Sequence, residues 1–346
     1  MGDMNYGTFS PDELMPLVPS LFIGGSFLQA AFFPGIFEFD TAEVHFDRVL
    51  DDMRAAPYVA PLSPGKIQQP RGFRKETIVP ASMKPKNQVN PNEVLARLPG
   101  EAIGGEMSAA DRESAIRQMY LQKHIERIAR QREIQASAIL RTGSVTITGD
   151  DYPSTVVNFA RDSSLTKALT STARWGESGV SPYDNLDGWM DETATLSGAA
   201  VNIVVMDRLA WQLYSADPKV EKVLDRTLGQ TAAMTLGFTP TTPGAPVFKG
   251  RDGGVEFYVY NDIVMDESFA TSKLIPDYTV MFGSQGGYQG AKLCGVVQHA
   301  ENHFGKGEYF PHEWIDQNTG AQFVETITAP ILAPKRVNAS GCATVR

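Results

Sequence analysis

SAADRESAIRQMYLQKHIERIARQREIQASAILRTG, residues 108–143, contains no proline and no glycine before its last residue. Ser108, with Asp111 and Glu113 behind it, predicts a helix N-terminus: the hydroxyl takes an orphan amide proton and early carboxylates suit the positive end of the dipole. Ile116, Tyr120, Leu121, Ile125, Ile128, Ala136 and Ile139 then form an apolar stripe between charged faces, and Gly143 predicts the stop. At 1.5 Å rise per residue such a helix is a rod of roughly 50 Å, longer than a small domain needs. No heptad is sustained, so the pattern points to the spine of an extended molecule rather than to a coiled coil.

Upstream of the helix the charge reverses sign. Residues 1–53 hold nine acidic side chains against Arg48, whereas residues 54–98 hold Arg54, Lys66, Arg71, Arg74, Lys75, Lys84, Lys86 and Arg97 against Glu76 and Glu93. Eight prolines between Pro57 and Pro99 forbid a helix there and remove ladder donors. GKIQQ and KETIV still have strand character, which predicts a loose two-stranded ribbon. An isolated ribbon is only marginally stable in water, so it would hold its shape best against a neighbour. A basic segment of this kind either neutralises its own fold or reaches the acidic surface of another copy, and composition does not choose between them.

Downstream, SVTIT and STVVNF flank the turn-rich GDDYP and read as a hairpin. Residues 161–196 are polar and punctuated by Gly and Pro, which predicts loop with short helices. AAVNIVVMD reads as a buried strand, RLAWQLYSADPKVEKVLDRTL as one or two helices broken near Pro218, and APVFKGRDGGVEFYVYND as a hairpin across RDGG. YTVMFGS and KLCGVVQ add strands, and QFVETITAPILAPKRVN suits a strand returning to an earlier sheet. The class is α+β.

Net charge −9, from 31 basic and 40 acidic residues, argues against wrapping nucleic acid through a cationic surface. Cys294 and Cys342 are far apart and outside any CxxC, so neither a disulfide framework nor a zinc site is indicated. The most apolar stretch, residues 17–37, is interrupted by Pro19, Gly24, Gly25, Pro34 and Gly35, and fits an arm buried against other protein better than a signal peptide or membrane span.

Catalytic patterns are weak throughout. His299 and His303 stand four apart, but HExxH needs Glu directly after the first His, and the surrounding GVVQHAENHFGKGEYF reads as strand and loop. His312 beside Glu313 is no stronger. GSQGGYQG and GRDGG lack the Walker lysine and suit turns, and no GxSxG elbow occurs. No catalytic residue, metal or cofactor is expected. A metal-dependent enzyme using His299 and His303 stays as the alternative of a different class.

Arm, basic ribbon, long helix, hairpin, mixed region and returning strand, in this order, resemble the major capsid proteins of tailed phages with the Hong Kong 97-type fold. FFPGIFEFDTAEVHFDRV (32–49), YVAPLSPGKIQQPRGF (58–73), KPKNQVNPNEVLARLPGE (84–101), VNIVVMD (201–207) and ETITAPILAP (325–334) look like the lambda-type branch, the major head protein E family. The resemblance implies an N-terminal arm at 1–55, an extended β loop at 56–105, a peripheral domain with the spine helix at 106–184, an axial domain at 185–310 and a return to the peripheral domain at 311–346. It implies self-assembly through pentamers and hexamers into an icosahedral shell around double-stranded DNA, in the virion head, put together in the host cytoplasm without a membrane. A separate scaffolding protein, a portal and a decoration protein are the expected partners, and no Lys–Asn bond between subunits is expected. Inter-subunit contacts are then expected from Arg71, Arg74, Lys75, Lys84, Lys86 and Arg97 in the loop, and from Phe32, Phe33, Phe37 and Phe39 in the arm. An encapsulin-like compartment of the same fold is the nearest rival.

Overall fold

The computed structural model describes residues 26–48, 74–95, 108–149, 152–221, 244–265, 268–303 and 305–346, with residues 55, 56, 58, 59, 61, 64 and 67 between. The spine helix runs Ala109–Thr142. Its start is a reciprocal box: Ser108 Oγ accepts from Asp111 N at 3.2 Å, and the Asp111 carboxylate accepts from Ser108 N at 3.2 Å. These bonds hold the Asp111 carboxyl below its ordinary range. At the other end Gly143 has φ +72°, and its N–H donates to Ile139 O at 2.8 Å. A Cβ here would lie 2.6 Å from Arg161 Cβ, so both the left-handed backbone and the close approach require glycine. Arg161 donates to Leu140 O at 2.6 Å and to Arg141 O, placing positive charge on the negative end of the helix.

The apolar stripe is buried as its spacing implies, but so are Arg117, His124, Arg132, Glu133 and Gln135 on the same helix. Against its first half lies a three-stranded antiparallel sheet ordered Phe310–Ile315, Gln322–Ile327, Lys86–Val89. Val89, Ile116, Tyr120, Leu121 and Val324 fill that contact.

The largest sheet has six strands, ordered Thr166–Ala168, Ser340–Thr344, Thr279–Gly283, Ile203–Met206, Val255–Tyr260, Pro246–Asp252. Ile203–Met206 is buried at every position and parallel to Val255–Tyr260, with the helix Arg208–Ser215 in the crossover. Asp207 caps that helix, accepting from Leu209 N and Ala210 N at 2.8 and 3.0 Å. The hairpin Pro246–Asp252 with Val255–Tyr260 turns at Gly253, φ +58°. One hydrophobic cluster contains Trp175, Trp189, Trp211 and Phe257, and another contains Leu28, Phe32, Ile139 and Met281.

Smaller units complete the fold. Gly35–Glu38 runs parallel to Gly290–Cys294, which pairs antiparallel with Pro330–Pro334. Ser144–Gly149 and Tyr152–Asn158 form the expected hairpin, and Ile263–Met265 pairs with Thr271–Lys273.

Three expectations need correction. KETIV lies largely in the strand Arg74–Ile78, but its partner is Val44–Arg48 from the arm. GKIQQ, apart from Ile67, lies outside the described residues. Residues 182–197, read within a stretch of loop and short helices, form one helix of 16 residues with Ser181 as N-cap and Gly198 at φ +68° as its stop. QFVETITAPILAPKRVN is not one strand: Gln322–Ile327 and Pro330–Pro334 belong to different sheets, and the following Ser340–Thr344 enters the six-stranded sheet.

Candidate assembly surface

Residues 26–48 of the arm are stitched into their own subunit rather than left for a neighbour to order. The arm helix Phe27–Phe32 is too short to stand alone, and its first amides find a carboxylate on the spine. Glu133 Oε1 accepts from Leu28 N at 2.7 Å and from Tyr260 O–H at 3.1 Å, and Oε2 accepts from Gln29 N at 3.2 Å and Gln29 Nε2 at 3.1 Å. Burial pushes the Glu133 carboxyl above its ordinary range, while these donors pull the other way. Tyr260 also reaches Asp262, which receives Arg130 Nη1 at 2.8 Å on both oxygens. Arm, spine and six-stranded sheet thus meet at one polar clamp.

That anchoring decides the fate of the four arm phenylalanines. Phe32 and Phe33 are fully buried inside the subunit, edge-on to Tyr288 at 5.7 and 5.4 Å, and are not available to another copy; this corrects the expectation. Phe39 is half-buried against the same core. Phe37 remains, 58% exposed beside Ile36 on a strand that forms one edge of its sheet.

The basic loop divides similarly. Lys84 and Lys86 are exposed, and Lys86 Nζ sits 4.8 Å from the Phe323 ring centre and 5.4 Å from that of Trp314. Arg74 and Lys75 stand in register with Arg48 and Asp47 of the arm strand, while their side chains lie outside the described residues. Arg71 and Arg97 also lie outside them. The loop strand is pinned to the spine by His124: Nε2 donates to Asn87 Oδ1 at 2.9 Å and Nδ1 accepts from Thr326 Oγ1 at 3.1 Å, both satisfied by one neutral tautomer. Burial, with the nearby Arg127 charge, lowers the His124 pKa to about 4.

Between Met83–Pro85, the spine at Arg127–Gln131 and the hairpin residues Ile147, Thr148, Gly149 and Tyr152 lies an open groove of about 610 Å³. Ile263, Met265 and Phe269 add exposed apolar surface around the short ribbon. His299 has extended backbone, Ala300–Asn302 form one helical turn and His303 sits at φ +48°, so the two imidazoles do not share a helix face. Among the described residues no helix is long and apolar enough to cross a membrane.

An arm, a proline-marked loop strand, a capped spine and a mixed sheet through which the late strand Ser340–Thr344 passes define a subunit of the Hong Kong 97-type capsid fold. The putative capsid protein of a prophage of E. coli CFT073 superposes with a TM-score of 0.74 at 16% identity, covering 98% of this chain and 99% of that one. The capsid subunit of an empty GTA particle gives 0.50 at 11% identity, over 93% and 90%. In sequence, the major capsid protein of Escherichia phage lambda is 26% identical over 310 residues, 87% of this chain and 88% of that protein. That of Escherichia phage N15 is 27% identical over 313 residues, with the same coverage. The profile described as Phage major capsid protein E matches residues 24–345, and the chain belongs to that family.

Proposed function

We propose that this chain is the building block of a tailed-phage head, closing through pentamers and hexamers into an icosahedral shell around double-stranded DNA. The family match over residues 24–345 carries the reading. The exposed Phe37 edge and the loop lysines Lys84 and Lys86 supply surface for neighbouring copies. Closed symmetry multiplies weak contacts, so exposed ion pairs of about 0.2–1 kcal/mol each suffice for register once apolar edges supply cohesion. The chain is a structural protein and not an enzyme. Assembly takes place in the host cytoplasm with a separate scaffolding protein, a portal and a decoration protein, and the product is the virion head.

The proposed division is arm 1–55, loop 56–105, peripheral domain 106–184, axial domain 185–310 and a return segment 311–346. Two hydrophobic clusters, one around the spine's second half and one around Trp175 and Trp189, support more than one packing unit. The contact residues proposed for the loop are Arg71, Arg74, Lys75, Lys84, Lys86 and Arg97. Co-expression with the scaffolding protein and electron microscopy test the reading. Wild type is expected to give closed shells, and Arg71→Glu, Arg74→Glu, Lys75→Glu in combination is expected to give soluble subunits and few shells. Normal shells from the triple variant would remove the loop charges from the account. Purified particles filled with an enzyme instead of DNA would favour an encapsulin-like compartment.

A further inference from the structure

His299 precedes a helical turn that closes on itself: Gly305 N donates to Asn302 O at 2.8 Å, Asn302 Nδ2 to Gly305 O at 3.0 Å, and Val297 N to Gly305 O at 3.2 Å. The turn lies against the strand Phe310–Ile315, where His312 is only 7% exposed. The two imidazole centres are 4.4 Å apart. One ligand nitrogen from each ring and one Glu301 carboxylate oxygen all lie within 4.8 Å of one another. Glu301 Oε2 approaches His312 Nδ1 at 3.0 Å without hydrogen-bond alignment, and His299 Nδ1 is buried with no hydrogen-bond partner among the described residues.

Buried imidazole nitrogens ordinarily find a partner, because an orphaned polar atom costs about 1–3 kcal/mol. Here two such nitrogens and a carboxylate converge from a closed turn and a strand. The donor set is that of zinc and related first-row ions rather than of calcium or magnesium, which prefer all-oxygen shells. Tetrahedral coordination with bonds of about 2.0–2.2 Å separates ligand atoms by roughly 3.3 Å. Glu301 is exposed, so its side chain can close the remaining gap.

We propose that His299, Glu301 and His312 bind a zinc-type divalent ion, with water in the fourth position. The spacing of His299 and His303 in sequence suggested a different pair; the fold replaces His303 with His312. The ion joins the 299–305 turn to the sheet that carries the extended loop. His312 stacks on Trp314 at 5.0 Å, Trp314 on Phe323 at 5.4 Å, and Lys86 lies over both of the latter rings. A metal here therefore stiffens the base of the loop, a consequence that rests on the capsid reading, whereas binding itself does not.

The test is calorimetric titration of full-length, chelator-treated subunits with zinc chloride near neutral pH, with circular dichroism as a check on folding. About one zinc per chain is expected in wild type and in His303→Ala, with affinity at least roughly tenfold weaker in His299→Ala and in the exposed-site variant Glu301→Gln. In parallel, Cu²⁺ is expected to quench wild-type tryptophan fluorescence, with the quenched component lost in Trp314→Phe. Absence of zinc binding in wild type, or unchanged affinity in both His299→Ala and Glu301→Gln, overturns the site. Because free subunits are measured, that outcome leaves shell assembly to its own experiment.

Discussion

Two hydrophobic regions of the subunit are held by different physics. One is built on aromatic rings: Trp175 stacks on Trp189 at 5.9 Å, Trp189 on Phe282 at 6.0 Å and Tyr214 on Phe257 at 5.3 Å. The other, along the spine, is threaded by buried polar contacts, with Glu133 on the arm amides, Arg132 on Glu308 at 2.6 Å and Arg117 on Glu313 at 2.8 Å. Apolar packing is strong and non-directional, whereas a buried charge repays its desolvation only in one geometry. The aromatic region therefore supplies cohesion, and the spine region supplies placement of the arm and loop.

The largest expected effect falls on the aromatic side. Trp175→Ala removes a fully buried indole and is expected to cost about 3–5 kcal/mol, read as a lower urea midpoint; a cost below about 1 kcal/mol would break the contrast. Glu133→Ala leaves the amides of Leu28 and Gln29 without their acceptor and is expected to cost roughly 2–3 kcal/mol. Its distinguishing sign is fast hydrogen exchange confined to the arm helix, with the aromatic region still protected. Glu133→Gln keeps one acceptor oxygen and should fall between that variant and wild type.

Acid sharpens the contrast further. The folded-state pKa of His124 lies below its ordinary 6.5, at about 4, so its contribution is present above pH 6.5 and is lost as pH falls through about 4. His124→Gln is expected to flatten that limb of the stability–pH curve measured by thermal unfolding. Glu133 has the opposite sign: its raised pKa means its contribution is present below 4.5 and declines as pH rises through the raised value. The smallest effect is expected at the exposed Lys219–Asp184 pair, where Lys219→Ala should shift stability by less than about 0.5 kcal/mol in the same unfolding assay.

Much of the fold was legible because the signals were local. Ser108 and Gly143 delimit the spine by their own chemistry, and the β-branched runs on either side of GDDYP pair with each other. The helix after Ser181 was read only as part of a stretch of loop and short helices, although it has the same signals, a serine cap and a glycine stop, because its sequence is polar and the apolar pattern weak. Strand partners were less legible: Arg74–Ile78 finds Val44–Arg48, a pairing set by tertiary closure. Counting apolar residues along the spine passed over Glu133 and Arg132, whose burial depends on partners from the arm and from Glu308. Nothing local revealed that Phe32 and Phe33 would be consumed by the subunit's interior. His312 was invisible as a partner of His299 because His299 and His303 flank a single short turn, one extended and the other at φ +48°, so their four-residue spacing carries no helical meaning.

The strand Ser340–Thr344 lies between Thr166–Ala168 and Thr279–Gly283. During translation that slot stays empty until residue 340 has left the ribosome, and a chain stalled earlier presents two raw sheet margins, prone to aggregation. Closure of the six-stranded sheet thus waits on a strand made after all five of its partners, and a product cut before Ser340 lacks the insert that joins Thr166–Ala168 to the rest.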